Sequence, residues 1–345
     1  MTLMWEEIME QPFVLSRAID KNGAMIKEIA DEVNKRNISS VVIAARGTSD
    51  HAGVYAKYVL ELLTGIPVSL AAPSVFTLYG GNVNYKNCLV IAISQSGKAA
   101  DALEVIKCAK AQGAITVSIT NFPDSPVAVE SQYHLCCYSG LERSVAATKT
   151  FTSQLYLLAN LAAEIANNAD LKEQLIAAQA GLQKTFQIAP EIKELAKRYR
   201  FMKECFVLAR GINYAIALEA ALKIQETTYV RAKAFATSDF HHGPFAMVER
   251  DTPVIVYAPE GPSLKDTVEI INKIRQVEAD ILVISNSQEA LGLGDCSLTI
   301  PSGVSDFISP FYNAAVAQMF ACNLALTKGL NPDSPRGLNK VTITK

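Results

Sequence analysis

"CLVIAISQSGKAAD", Cys88 to Asp101, runs from an unbroken apolar stretch into Ser-Gln-Ser-Gly and then into a segment with helical spacing. An apolar run without alternation reads as a strand covered on both faces, the habit of parallel sheets lying beneath helices. Hydroxyls, an amide and a glycine therefore stand where a buried strand stops. In such sheets ligands bind beyond the carboxyl ends of the strands. There the next helix presents free N–H groups and the positive end of its dipole. Ser94, Gln95 and Ser96 add donors without charge, and Gly97 lets the backbone approach closely, which suits a phosphate monoester. Thr48 and Ser49 in "ARGTSD" occupy the corresponding end of an earlier strand, so two loops can converge on one oxyanion group.

The pattern is written twice. "VIAARGTSD" (Val42–Asp50) resembles "FVLARGINY" (Phe206–Tyr214), with Gly47 opposite Gly211, 164 residues later. Gly97 falls opposite Gly261, and Asn121 opposite Asn286, at nearly the same offset. Each copy alternates short Val/Ile-rich runs with longer periodic segments, so the fold class is α/β: two tandem domains, each a parallel sheet flanked by helices. Either polar loop alone reads equally well as a helix cap. The second copy, "YAPEGPSLKD", places Pro259 and Glu260 opposite Gln95 and Ser96. Capping is needed in both copies, whereas an acid and a proline do not receive phosphate. One anion site per chain is expected, in the first copy.

Composition narrows the classes. Among 345 residues, 50% are hydrophobic, and 32 Lys+Arg face 34 Asp+Glu for a net charge of -2. No field draws nucleic acid or an anionic membrane. The seven cysteines are odd in number and form no Cys-x-x-Cys pair, as expected of reduced, buried thiols. "MTLMWEEIMEQP" is acidic where a signal peptide needs a basic start. The apolar segments "FTSQLYLLANLAAEIA" and "FYNAAVAQMFACNLAL" are interrupted by Asn and Gln and are short for a bilayer. A cytoplasmic protein, with no membrane or nucleic-acid partner, is expected. Neither Gly-x-Gly-x-x-Gly nor a P-loop occurs, so no NAD or ATP, and no cofactor, is expected.

Reactive residues gather in the second copy. In "ALEAALKIQE", Glu219, Lys223 and Glu226 share one helix face. That spacing serves a surface ion-pair ladder, or a general base tuned by an ammonium and burial. His241 and His242 sit in a turn; adjacent histidines lack metal-ligand spacing, and no metal is expected. Lys340, five residues from the end, reads by position as a solvated tail lysine.

Together "EEIMEQP", "RGTSDHAG", "ISQSGKAADAL", "SVAATKTFTSQ", "ARGINYAIALEAALKIQETTY", "FHHGP" and "SPRGLNKVTITK" resemble the tandem sugar-isomerase (SIS) family, over essentially the whole chain. The family includes the isomerase half of glucosamine-6-phosphate synthase and stand-alone relatives. The resemblance implies flavodoxin-like three-layer sandwiches. A helical segment at 1–22 precedes a phosphate-binding SIS domain at 23–185. A catalytic SIS domain at 195–330 and an active-site tail at 331–345 follow. It implies that Gly47, Thr48, Ser49, Ser94, Gln95, Ser96 and Asn339 bind the substrate. Glu226 is then the base moving a proton between C1 and C2, with Lys223 as a supporting charge. His242 opens the sugar ring in the neighbouring subunit of a homodimer, and Lys340 forms a Schiff base with a ketose.

Three departures qualify the likeness. Ala99 replaces a loop threonine, with Lys98 beside it, and Ala147 replaces a serine. No glutaminase domain is expected before the first copy. The expected activity is thus glucosamine-6-phosphate deaminase or isomerase, with fructosamine-6-phosphate deglycase as an alternative. A phosphosugar-binding sensor is the reading outside enzymes.

Overall fold

The computed structural model describes residues 1–340. Among these, ten strands form two five-stranded sheets in which every pairing is parallel. The first sheet holds β1 (Ser40–Ala44), β2 (Val68–Leu70), β3 (Cys88–Ser94), β4 (Ile115–Thr120) and β5 (Tyr133–Cys136), in the order β2-β1-β3-β4-β5. The second holds β6 (Glu204–Ala209), β7 (Arg231–Ala236), β8 (Pro253–Tyr257), β9 (Asp280–Ser285) and β10 (Cys296–Thr299), in the order β10-β9-β8-β6-β7. Taken along the chain, the two orders are identical, so the duplication seen in the sequence is a duplication of topology.

The chain divides into two compact units. One comprises Glu10–Glu142 and Ala147–Gln179 together with Asn339 and Lys340; the other comprises Met1–Met9, Arg143–Ala146 and Ala180–Leu338. The boundary expected after residue 22 falls inside the single helix Gln11–Arg36. Gly23 weakens that helix by only about 1 kcal/mol. A stripe of Val14, Leu15, Ala18, Ile26, Ile29, Ala30 and Val33, buried along its length, holds the helix together.

All seven residues of β3 are buried, because helices cover both faces of its sheet. On one face Val90 and Ala92 pack with Ala102, Val105, Ile106 and Ala109 of helix Ala100–Ala111. On the other, helix Thr48–Thr64 approaches β1 so closely that a Cβ at Gly53 would meet Ile43 Cγ2 at 3.1 Å. In the second unit Leu208, Val254, Val256, Ile281 and Val283 pack with Ile270, Ile271 and Ile274 of helix Leu264–Gln276. Each such side chain contributes about 1.5–3 kcal/mol by burial.

The tail is described to Lys340 and forms neither helix nor strand between 331 and 340; residues 341–345 of the expected active-site tail lie outside the described residues. Asp333 accepts the Leu3 and Met4 N–H groups at 2.9 and 2.8 Å, capping helix Leu3–Met9. The Arg336 guanidinium lies 4.3 Å over the Tyr229 ring, whose hydroxyl accepts the Arg336 N–H at 2.8 Å.

At the carboxyl rim of the second sheet, Asn313 Nδ2 donates to Asn213 Oδ1 at 2.8 Å. Asn213 Nδ2 donates in turn to Asp306 Oδ1 at 3.1 Å and Ser309 Oγ at 2.9 Å. Burial pushes the Asp306 carboxyl up from 3.8 to about 6, with the Asn213 and Ser309 hydrogen bonds opposing it. An acid raised in the folded state favours folding while protonated. Its contribution is complete below the unfolded value and is lost as pH rises through the folded one. Asp306→Asn should therefore be more stable than the parent at pH 8, by on the order of 1–3 kcal/mol, and equal to it near pH 4. Denaturant midpoints at the two pH values check this, and a pH-independent difference counts against it.

Candidate active site

In the order β2-β1-β3-β4-β5 the chain reverses direction across the sheet between β1 and β3, the point where open α/β sheets bind ligands. The register Ala44↔Ala92 sends the two following loops out side by side. One loop leads through Gly47 (φ 55°) into helix Thr48–Thr64, with Thr48 half-buried and Ser49 buried. The other leads through Gln95, Ser96 and Gly97 into helix Ala100–Ala111. Ala99 occupies the N-cap position of that helix, and no side chain caps it. Alanine stands here in place of the loop threonine donor that the resemblance implies, so this position offers no side-chain hydroxyl.

The hydroxyls are oriented before any ligand arrives. Ser49 Oγ accepts from Gln154 Nε2 at 3.1 Å, and Ser94 Oγ accepts from the Gly97 N–H at 3.1 Å. Ser96 Oγ accepts from the Lys98 N–H at 3.3 Å. A serine oxygen that accepts still has its own O–H to donate. The loop thus presents hydroxyl donors beside a helix amino end, the chemistry of an oxyanion cradle. Asn121 fixes its far side, donating its N–H to the Gln95 carbonyl at 3.1 Å. Gly97 has φ 63°, and a Cβ there would stand 2.0 Å from Ser125 Oγ. Lys98 is exposed at the loop edge. At the mouth, Arg46 bonds Asp101 Oδ2 through Nη2 at 2.8 Å.

The Glu219–Lys223–Glu226 face is no surface ladder. Helix Tyr214–Thr228 buries Glu219 and Lys223 completely, while the Glu226 side chain stays 22% exposed. Lys223 Nζ lies 2.5 Å from Glu226 Oε2 and 3.4 Å from Glu219 Oε1. Burial pushes the Lys223 ammonium down, but the two carboxylates outweigh it and hold the group above its ordinary value. The lysine is a sealed, permanent cation, and Glu226 is the member of the trio with a face open to a reactant.

His242 is exposed in the turn after helix Thr237–Phe240, in a shallow surface cavity with Thr237, Ser238, His241, Asp266, Glu269 and Lys273. Neither Glu226 nor Lys223 lines that cavity. Asn339 is exposed. Lys340 is no loose tail lysine: its Nζ lies 2.7 Å from Glu142 Oε2. Glu142 could not be picked out from local sequence, since its partner is 198 positions away. Gln154, which orients Ser49, is equally silent in the sequence, one of two amides with Asn160 in an apolar helix.

The SIS domain family matches residues 36–164 and again 200–328. The glutamine–fructose-6-phosphate aminotransferase (isomerizing) of Xylella fastidiosa strain 9a5c is 35% identical over 359 residues, covering 98% of this chain and 58% of that relative. The chain thus spans little more than half the length of this curated relative. A suspected phosphosugar isomerase from Silicibacter pomeroyi DSS-3 superposes with a TM-score of 0.88 at 30% identity, over 96% of this chain and 100% of that one. The C-terminal domain of glucosamine-fructose-6-phosphate aminotransferase from Francisella tularensis gives a TM-score of 0.87 at 27% identity, over 96% and 98% of the two chains.

Gly97→Ala should destabilise the protein by about 2–4 kcal/mol, from the left-handed backbone and the overlap with Ser125 together. Adding Ser125→Gly should recover the overlap part and leave the backbone part. Chemical denaturation of the single and double variants measures both, and no recovery in the double variant would show that the contact with Ser125 is not what excludes a side chain.

Proposed function

The chain belongs to the SIS domain family, and from that premise we propose that it is a phosphosugar isomerase of amino-sugar chemistry, converting glucosamine 6-phosphate to fructose 6-phosphate and ammonia. Two features, one in each unit, support this reading. Uncharged hydroxyl donors wait at a helix amino end, and a carboxylate, Glu226, sits against a sealed ammonium. The first suits a phosphate ester and the second suits proton transfer at carbon.

In this reading Gly47, Thr48, Ser49, Ser94, Gln95 and Ser96 hold the phosphate, and Asn339 contacts the sugar. His242 assists ring opening in the neighbouring subunit of a cytoplasmic homodimer. Glu226 takes the C2 proton of the open-chain amino aldose and returns it to C1, giving the C2 imine. Lys223 holds a fixed positive charge against the carboxylate. Lys340 replaces ammonia at C2, forming its own imine, and water then releases fructose 6-phosphate. The aminotransferase relatives are named for glutamine-dependent synthesis. The same residues run in reverse release ammonia from the amino sugar, and no glutamine chemistry is required of them.

Incubation with glucosamine 6-phosphate should yield equal amounts of fructose 6-phosphate and ammonia, and Glu226→Gln should lower kcat by about 100-fold or more. Turnover that survives Glu226→Gln removes the base assignment. Tight binding without turnover in the parent protein turns the site into a sensor. Activity confined to a phosphorylated fructosamine makes it a deglycase.

A further inference from the structure

Glu142 is fully buried, yet it is ionised and surrounded by donors. Its Oε1 accepts the backbone N–H groups of Thr148 at 3.0 Å and Thr150 at 3.1 Å, at the amino end of helix Lys149–Ile165. Its Oε2 accepts the Thr150 hydroxyl at 2.9 Å and the Lys340 ammonium at 2.7 Å. Burial alone would push this carboxyl up; the charge of Lys340 and the hydrogen bonds from Lys340, Thr148 and Thr150 hold it below its usual range. Cys137 also interacts with it; burial pushes that thiol far above its ordinary value, so it stays neutral.

A tether for the tail does not need this arrangement. Fixing a lysine side chain costs rotamer freedom. Burying a carboxylate costs its hydration as well. A surface acid would hold the tail without the second cost. What the buried carboxylate adds is a fixed acceptor, immobilised by a helix end, against a nitrogen whose side chain remains 24% exposed on its other side.

We propose that Glu142 is the positioning residue for Lys340 and the acceptor of the proton its amine must lose before it attacks a ketose carbonyl. This rests on the assignment of Lys340 as the imine-forming lysine. The ammonium transfers one proton to Glu142 Oε2, and the freed lone pair forms the Nζ–C2 bond as the carbonyl oxygen takes up a proton from the amine. The carbinolamine hydroxyl then leaves as water with the proton held by Glu142, and the protonated imine remains. One N–C bond forms, one C–O bond breaks, and Glu142 ends as a carboxylate. Once Lys340 is discharged, the main support for the Glu142 charge is gone and burial favours the acid, which makes the proton returnable.

The test is borohydride trapping with fructose 6-phosphate, followed by peptide mass analysis, with affinity for the phosphosugar measured in parallel. In the parent protein the label should sit on Lys340, with a trapping rate nearly flat between pH 6.5 and 8.5. Glu142→Gln keeps an oxygen for the Thr148 and Thr150 N–H groups. It should slow trapping at pH 7 by about tenfold or more and make the rate climb with pH, as solvent base replaces the carboxylate. Its affinity for fructose 6-phosphate should stay within about twofold, since the phosphate loops are untouched. Glu142→Asp keeps the charge at a shorter reach and should restore the flat profile at a reduced rate, which keeps the question open to measurement if the glutamine variant does not fold. Parent-like rate and profile in Glu142→Gln, or a climbing profile in Glu142→Asp, overturns the inference while leaving Lys340 in place. A parent protein labelled elsewhere than Lys340 removes the imine assignment itself, and the role of Glu142 with it.

Discussion

Parallel strands need crossover connections, and when the crossovers are helices on both faces the middle strands lose every water-facing side. β3 is the clearest case, with all seven residues buried. Polar groups on such a strand have one place to go, its carboxyl end, where the helix that follows begins. Function is thereby concentrated at one rim of each sheet. Because β1 and β3 are neighbours that feed helices onto opposite faces, their loops open a crevice instead of closing over it.

The duplication shows what a rim needs for folding and what it needs for chemistry. In both units an arginine at the end of the first strand pairs with an aspartate in the first turn of a later helix: Arg46 with Asp101 at 2.8 Å, and Arg210 with Asp266 at 3.2 Å. An asparagine after the fourth strand likewise recurs, Asn121 next to the Gln95 loop and Asn286 accepting the Glu260 N–H at 2.7 Å. These shared features belong to the architecture. The hydroxyls are not shared, since Gln95 and Ser96 stand where the second unit has Pro259 and Glu260. The second unit has instead placed charge inside a helix, as Glu219, Lys223 and Glu226.

Buried charge is the expensive element of this protein. A sealed ammonium or carboxylate forfeits several kcal/mol of hydration, and removing one partner leaves the other stranded at about 3–5 kcal/mol. Lys223 and Glu142 are each sealed, and each has oppositely charged company within 2.7 Å. Apolar residues of similar volume would serve stability as well. Their placement is explained by what a fixed charge does to a neighbouring acid or amine, which is to set its protonation state without help from solvent.

The chain's own order of residues determined the α/β class, the tandem repeat, the polar loops at Thr48–Ser49 and Ser94–Ser96, and the helix bearing Glu226. Each is local: a strand, its turn and the next helix lie within one short span, and an offset near 164 residues repeats them. Burial was not legible. The spacing of Glu219, Lys223 and Glu226 is the same for a solvated face and a sealed one, and only the helices and strands packed around it decide. The single helix through residues 22 and 23 depended on the same thing, an apolar stripe finding a surface to cover. Long-range pairings were beyond reach altogether. Nothing in "SGLERSV" or "GLNK" points to the other, and the contact between Glu142 and Lys340 exists because the folded chain brings its tail back to the amino end of a helix begun nearly two hundred residues earlier.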